Sequence, residues 1–336
     1  MEFATIPETL LTVSRIGLGT WAIGGWMWGG TEEEESVETI HTAVERGINL
    51  IDTAPAYGFG HSEEIVGQAI AERSLRPHVV IATKTGLEWK DGKVFRNASR
   101  DRILREATDS LRRLRTDYID IYQVHWPDPL VSIEETAEAM QTLFDQGKIR
   151  AIGVSNFSVA QIERFRRVAK LHVVQPPYNL FERKIEKELL PYCREAGLAT
   201  LTYGALCRGL LSGKLQEDAH FEGDDLRLTD PKFQPPRYAQ YLAAVRRLDQ
   251  FAHQHCAKRV IHLAVRWLLD QGATAALWGA RHPGQLQPID EVFGWSLDAD
   301  AKSEIDRILQ ESITDAVGPE FMAPPPRTKP AVLQAA

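Results

Sequence analysis

The sequence predicts an α/β protein whose parallel strands close into a (β/α)8 TIM barrel, and three observations carry that reading. Apolar runs of four to seven residues recur eight times along the 336 residues. Helix-period segments separate them, which is the alternation that builds a parallel sheet. The competing open, doubly wound sheet commonly carries GxGxxG after an early strand, whereas Gly24 to Gly30 has neither that spacing nor a helix directly behind it. Residues 1–336 read as a single domain, since barrels of this type fill that length without a boundary.

Taken in order, two β-like pieces at Phe3–Thr5 and Thr12–Ser14, separated by Pro7 and Glu8, predict an N-terminal hairpin. Ile16–Gly19 is the first buried strand and ends in Thr20, Trp21 and a Gly- and Trp-rich loop. Later strands centre on Leu50, Ile81, Ile121, Ile152, Val173, Leu201 and Leu277. Helices are expected over 33–46, 62–72, 100–114, 133–146, 159–169, 184–196 and 242–271. Ser62 is a good N-cap residue with Glu63 and Glu64 behind it, and Ser158 is a second one. Two stretches break the alternation. Residues 216–237, rich in Asp, Gly and Pro, should form a long loop at the mouth and a candidate lid. Residues 317–336 carry five prolines and should form an irregular tail over the mouth.

The bulk composition excludes several functions. A net charge of −7 and a pI near 5.9 argue against a nucleic-acid or anionic-membrane partner, while leaving room for a local basic pocket. Cys193, Cys207 and Cys256 stand alone, without CxxC pairs, which suggests reduced thiols in a cytosol. Glu2 and Glu8 replace a basic leader, and no apolar run approaches the roughly 18 residues of a membrane span. A cytoplasmic protein is the expectation.

Chemistry-bearing residues collect where strands end. Leu50 and Ile51 lead to Asp52, and after Pro55 comes Tyr57; Val79 to Thr83 leads to Lys84; Ile119 to Val124 leads to His125. In parallel α/β folds ligands sit at the carboxyl ends of the strands. Singly each residue has a plain structural reading, as a packed tyrosine, a surface ion pair or a core histidine. Together they suit proton transfer to a carbonyl oxygen. A tyrosine, with a pKa of about 10, serves as the acid if a nearby cation lowers it. Lys84 supplies the cation, Asp52 holds the ammonium, and His125 orients the carbonyl oxygen. No His-x-His or paired carboxylates at strand ends suggest a metal, and no GxSxG suggests a serine hydrolase.

Asp52, Tyr57, Lys84 and His125, in that order, resemble the catalytic tetrad of the aldo-keto reductases. Further family-like motifs lie at 147–157, 174–178, 203–214 and 279–285, so the resemblance spans nearly the whole chain. The tail from Val317 to Pro325 resembles the bacterial branch that includes inositol-related and general-stress members. The resemblance implies Tyr57 as general acid in reduction and as phenolate base in the reverse oxidation, with NADP(H) extended across the mouth. Gly19, Thr20, Trp21 and Asp52 would line the cofactor. Ser155, Asn156 and Gln175 would meet its carboxamide, and Tyr203 would stack on the nicotinamide. Gly204, Ala205, Leu206, Arg208, Gly209, Leu210 and Lys214 would form the pyrophosphate loop. Gly279, Ala280, Arg281 and Gln285 would take the adenosine end, with Arg281 partnering a 2′-phosphate and so favouring NADP(H). Two departures stand out: Gly204-Ala205-Leu206 where Ser-Pro-Leu is frequent, and Ile289 where an adenine-binding Asn is usual.

Trp21, Trp26, Trp28, Trp89 and Trp126 fall in predicted mouth loops and suit a bulky carbonyl or a polyol whose ring face stacks on indole. The expected activity is NADPH-dependent reduction of aldehydes or ketones, of the detoxifying kind. Its rivals are NADP-dependent polyol oxidation and a cofactor-binding, redox-sensing subunit with little turnover. The expected state is a monomer or weak homo-oligomer.

Overall fold

The structure, a computed structural model, describes residues 1–327; the remainder of the expected tail lies outside the described residues. The chain opens with an antiparallel hairpin, β1 (Phe3–Thr5) and β2 (Thr12–Ser14). Three barrel strands follow, β3 (Ile16–Gly19), β4 (Leu50–Asp52) and β5 (Val80–Thr85). A second hairpin, β6 (Leu87–Lys90) and β7 (Lys93–Arg96), interrupts the series. The barrel resumes with β8 (Ile119–Val124), β9 (Ile149–Ser155), β10 (Val173–Gln175), β11 (Ala199–Thr202) and β12 (Ala275–Gly279). β12 pairs in parallel with β3, so the eight strands close.

Strand side chains alternate between two faces, and here they feed two separate cores. Leu50, Val80, Ala82, Ile121, Ala151, Val173, Leu201 and Leu277 point into the barrel. Ile6, Leu11 and Val13 of the N-terminal hairpin pack against them and plug the floor. Their neighbours Ile51, Ile81, Tyr122 and Ile152 point outward, into the larger core beneath the helices. The interior is crowded enough that a Cβ on Gly17 would lie 2.8 Å from Leu50 Cδ2 and 2.9 Å from Leu277 Cδ2, which explains a glycine inside a strand.

Helices α1 (Glu33–Glu45), α2 (His61–Glu72), α3 (Arg100–Arg113), α4 (Ile133–Asp145), α5 (Val159–Arg166) and α6 (Leu189–Glu195) fall where the sequence places them, all but α2 with shorter ends. Ser158 caps α5 in a capping box with Gln161. Two expectations need correction. Ser62 is not the cap of α2: that helix starts at His61, with Gly60 in a left-handed conformation before it. The Ser62 hydroxyl instead donates to the Thr20 carbonyl oxygen at 3.0 Å and lies 3.0 Å from the Thr53 hydroxyl, tying the first two strand ends together. The single helix expected over 242–271 is two, α7 (Arg237–Cys256) and α8 (Val260–Asp270). Ala257 breaks them in a left-handed conformation, and the Asp249 carboxylate accepts the Val260 N–H at 2.8 Å. Helix α9 (Ala299–Ser312) precedes the tail. Among the described residues no helix is long and apolar enough to cross a membrane.

Candidate active site

Continuing the inward-facing rows two residues past the apolar floor brings the strand-end residues together. Leu50 leads to Asp52, Ala82 to Lys84, Val173 to Gln175 and Leu201 to Tyr203. Lys84 is fully buried, and its ammonium makes three hydrogen bonds: to Asp52 Oδ1 at 2.6 Å, to the Thr53 carbonyl at 2.9 Å and to the Tyr57 hydroxyl at 3.2 Å. Those are all the donors an ammonium has, so it is held in one place. The second Asp52 oxygen accepts from Gln175 Nε2 at 2.7 Å and Gln123 Nε2 at 3.4 Å. The His125 ring meets the Tyr57 ring edge-on, with centroids 5.8 Å apart.

The electrostatics depart from the sequence-based expectation at one point. Burial first, and the Asp52 carboxylate second, push the Tyr57 phenol well above its ordinary value, the reverse of a phenol lowered by Lys84. The reason is that the ammonium does not act alone. Asp52 offsets its charge at 2.6 Å, and burial penalises a phenolate outright. Burial also lowers the Lys84 ammonium, against the pull of Asp52. The His125 imidazole is held well below its ordinary value, by burial and then by Lys84. The site therefore presents a protonated phenol beside a neutral imidazole.

From Tyr57 a trough of about 310 Å³ extends across the barrel mouth. Gly19, Thr20, Trp21, Asp52 and Tyr203 line its inner end; Gly204, Ala205, Leu206, Gly209 and Lys214 line the middle; Gly279, Ala280, Arg281 and Gln285 line the outer end. Asp52, itself paired with Lys84, is the sole acid among its lining residues, against Lys214 and Arg281, while the lining arginines Arg208 and Arg227 are paired with Glu182 and Asp230 and with Asp225. In a chain of net charge −7, that bias fits an elongated anion. Cys207, Arg208 and Gly209 are successive residues with positive φ, at 46°, 54° and 96°, and the Cys207 and Gly209 N–H groups close this tight turn onto the Gly204 and Leu206 carbonyls at 2.8 and 3.0 Å. A Cβ on Gly279 would meet nothing within 4 Å, so the outer end is open. A nicotinamide dinucleotide fits this lining.

Other candidates fall out differently. Ser155, Asn156, Gln175 and Tyr203 form one network: Ser155 Oγ donates to the Gln175 carbonyl at 2.8 Å, and the Tyr203 hydroxyl to Asn156 Oδ1 at 2.8 Å. Asn156 Nδ2 donates to the His125 carbonyl at 3.0 Å. The Arg208 guanidinium, expected at the phosphates, is instead buried between Glu182 Oε1 at 2.5 Å and Asp230 Oδ2 at 2.6 Å. A left-handed backbone turns that side chain inward. Leu210 is wholly buried in the outer core rather than at the trough, and Ile289 is likewise a core residue. Arg281 Nη1 donates to the Trp28 and Gly30 carbonyls at 2.7 and 2.9 Å, so it clamps the first loop as well as lining the trough.

Of the tryptophans, Trp21 lies over Tyr57 with centroids 5.8 Å apart, and Trp28 meets Trp21 edge-on at 5.6 Å. Trp89 stands on β6, in a hairpin not foreseen from sequence, 5.9 Å from Phe59, which in turn packs on Trp26. Trp126 packs against Arg96 at 5.1 Å. Two residues that sequence reasoning missed belong here. Gln123 occupies the inward row two residues before His125, a polar side chain following Ile121 on that face, and that was a readable signal. Arg227 lies in the loop 216–237, whose Asp224 accepts the Met27 and Gly29 N–H groups at 2.7 and 3.1 Å. Nothing in a Gly- and Asp-rich loop marks which arginine turns inward.

A closed parallel barrel with a buried carboxylate, ammonium and phenol at its mouth, opening on a cationic trough, defines a class of nicotinamide-dependent oxidoreductases. Residues 15–310 match the Aldo/keto reductase family, and the chain belongs to it. It is similar to the aldo-keto reductase YhdN of Bacillus subtilis, with 62% identity over 97% of this chain and 99% of that protein. It is also similar to the NADH-specific methylglyoxal reductase of Escherichia coli, with 37% identity over 90% and 96%. Among solved structures, the glycerol dehydrogenase AKR11B4 from Gluconobacter oxydans superimposes with a TM-score of 0.87 and 52% identity, covering 96% of this chain and 99% of that one.

Proposed function

We propose that this chain is an NADP(H)-dependent reductase of small-molecule aldehydes and ketones, working reversibly, with Tyr57 as the proton donor. The observation that carries the reading is the Lys84 ammonium fixed between Asp52 at 2.6 Å and the Tyr57 hydroxyl at 3.2 Å. The dinucleotide, when bound, supplies or accepts the hydride. The chain's own residues do the rest. Tyr57 gives its proton to the carbonyl oxygen, and Lys84, held by Asp52, steadies the phenolate left behind. Neutral His125 hydrogen-bonds the same oxygen and fixes the direction of approach. Ser155, Asn156 and Gln175 would hold the nicotinamide carboxamide, with Tyr203 beside the ring. Lys214 and Arg227 would face the phosphates, and Arg281 the 2′-phosphate. Three free cysteines accord with action in a reducing cytosol.

A second reading, oxidation of a polyol, is favoured by the 52% identity to a glycerol dehydrogenase. The elevated Tyr57 pKa supports the reductive direction, because a protonated phenol is already the donor. Absorbance at 340 nm, followed with NADPH and a panel of aldehydes and ketones, then with NADP+ and polyols, separates the two. Tyr57→Phe should lower kcat by roughly 10²–10⁴-fold while leaving cofactor affinity intact. Wild-type turnover in that variant would refute the assignment, and cofactor binding without turnover in the unaltered protein would favour a sensor.

A further inference from the structure

The segment 317–327 crosses the barrel mouth pinned at both ends. At the near end the Val317 N–H donates to the Tyr241 hydroxyl at 3.3 Å, and buried Lys232 donates to the Gly318 carbonyl at 3.2 Å. At the far end the segment meets Arg96, the last residue of β7. The Arg96 backbone N–H donates to the Pro325 carbonyl at 2.9 Å, its Nε to the Pro324 carbonyl at 2.7 Å and its Nη1 to the Pro127 carbonyl at 3.0 Å. Arg327 adds an ion pair with Asp128 at 3.2 Å. Between the pins lies the turn Glu320–Met322, and Met322 lines the same trough as Tyr57 and Trp21.

The chemistry of the far pin follows from composition. Pro324, Pro325 and Pro326 have no N–H to donate, so a strand edge cannot hold them by the usual two-way ladder. Only their carbonyls are available, and a forked guanidinium is the side chain that engages several carbonyls at once. Arg96 also lies 5.1 Å from the ring of Trp126, the residue after His125. One arginine thus joins the tail, the second hairpin and the loop beside the catalytic histidine.

We propose that Arg96 is a positioning residue, a latch that fastens the tail across the mouth so that Met322 limits the size of the carbonyl admitted. The proposal rests on the reductase reading, and its test keeps the two apart. In Arg96→Ala, KM for a three-carbon aldehyde should rise by about tenfold, the loss of roughly one net hydrogen bond's worth of wall positioning. kcat should stay within about twofold. The ratio of kcat/KM for a bulky aryl ketone to that for the small aldehyde should rise, which a general loss of folded protein cannot produce. A chain ending at Ala323 should behave alike, and Arg96→Ala within it should add nothing further. If Arg96→Ala does not fold, Arg96→Lys and the shortened chain carry the test, the lysine variant falling between wild type and the shortened chain in size selectivity. Hydrogen exchange of peptide 318–327 should quicken in the variant whether or not any substrate turns over. An unchanged selectivity ratio, or unchanged exchange in that peptide, would overturn the latch. A wild-type chain inactive on every carbonyl, with exchange quickened in the variant, would overturn the reductase reading alone.

Discussion

The floor and the mouth of the barrel are built from the same eight strands and the same alternation, yet their chemistry is opposite. At the floor the inward rows read Leu50, Val80, Ile121, Val173 and Leu201, sealed by Ile6, Leu11 and Val13 of the hairpin. Further along the same rows, at the mouth, they read Asp52, Lys84, Gln123, Gln175 and Tyr203, each two residues past Leu50, Ala82, Ile121, Val173 and Leu201. A buried ion pair is costly to desolvate and gives little net stability. The floor supplies the apolar burial that offsets it and keeps water from reaching the ion pair from below. Stability and chemistry are therefore stacked along one axis, and substitutions one turn of the alternation apart should have opposite consequences.

Leu50→Ala breaks the floor directly beneath Asp52. Leu50 is fully buried, so the truncation should cost about 2–5 kcal/mol by loss of apolar burial and the cavity left behind. Urea unfolding would measure it. Below the lowered melting point, kcat/KM should remain within about twofold of wild type, in contrast to Tyr57→Phe. A loss of turnover in the folded Leu50→Ala protein would show that the floor also sets the geometry of Asp52, and the division between the two ends would fall.

How much of this was legible in sequence follows the same division. The alternation marks inward rows wherever a strand is apolar, and the polar residues that end those rows, Asp52, Lys84, His125, Gln175 and Tyr203, are visible because they interrupt it. Besides the β6–β7 hairpin and the turn of Arg227, three further things were not visible. The Arg208 guanidinium is drawn inward to Glu182 and Asp230 by residues 26 and 22 positions away, from two different segments, and no local pattern encodes that. The break at Ala257 carries neither Gly nor Pro, and a left-handed alanine has no sequence signature. The direction of the Tyr57 shift depends on burial and on the balance of Asp52 against Lys84, which residue types alone do not settle.

Arg281 sharpens the comparison from the outer end of the trough. Its guanidinium holds the Trp28 and Gly30 carbonyls and also lines the trough, so it should affect cofactor choice without touching the floor. Arg281→Ala should raise KM for NADPH by roughly tenfold or more, and KM for NADH far less. Parallel initial-rate measurements with the two cofactors decide it. Because a relative of 37% identity is NADH-specific, equal effects on both cofactors would reassign Arg281 to clamping the first loop alone.

The smallest expected effect is one of pH, and it separates the two ends because the floor's inward rows hold no titratable group. His125 at the mouth is held neutral, its pKa well below 6.5 through burial and then Lys84. In the unfolded chain it titrates near its ordinary value, so below about pH 6.5 the unfolded state binds a proton that the folded state refuses. Stability present above that pH is then lost as pH falls toward the folded pKa, by at most about 1.4 kcal/mol per pH unit for one group. Urea midpoints at pH 7 and pH 5.5 should differ more for wild type than for His125→Gln. Leu50→Ala should shift both midpoints by the same amount. His172 and His262 are also held low by burial, but they are present in every variant and cancel from the difference. If His125→Gln kept the full acid slope, the imidazole would already be protonated in the folded mouth. The Tyr57 hydroxyl would then face a second cation on the acid side, which opposes the upward push of burial and Asp52 on the phenol.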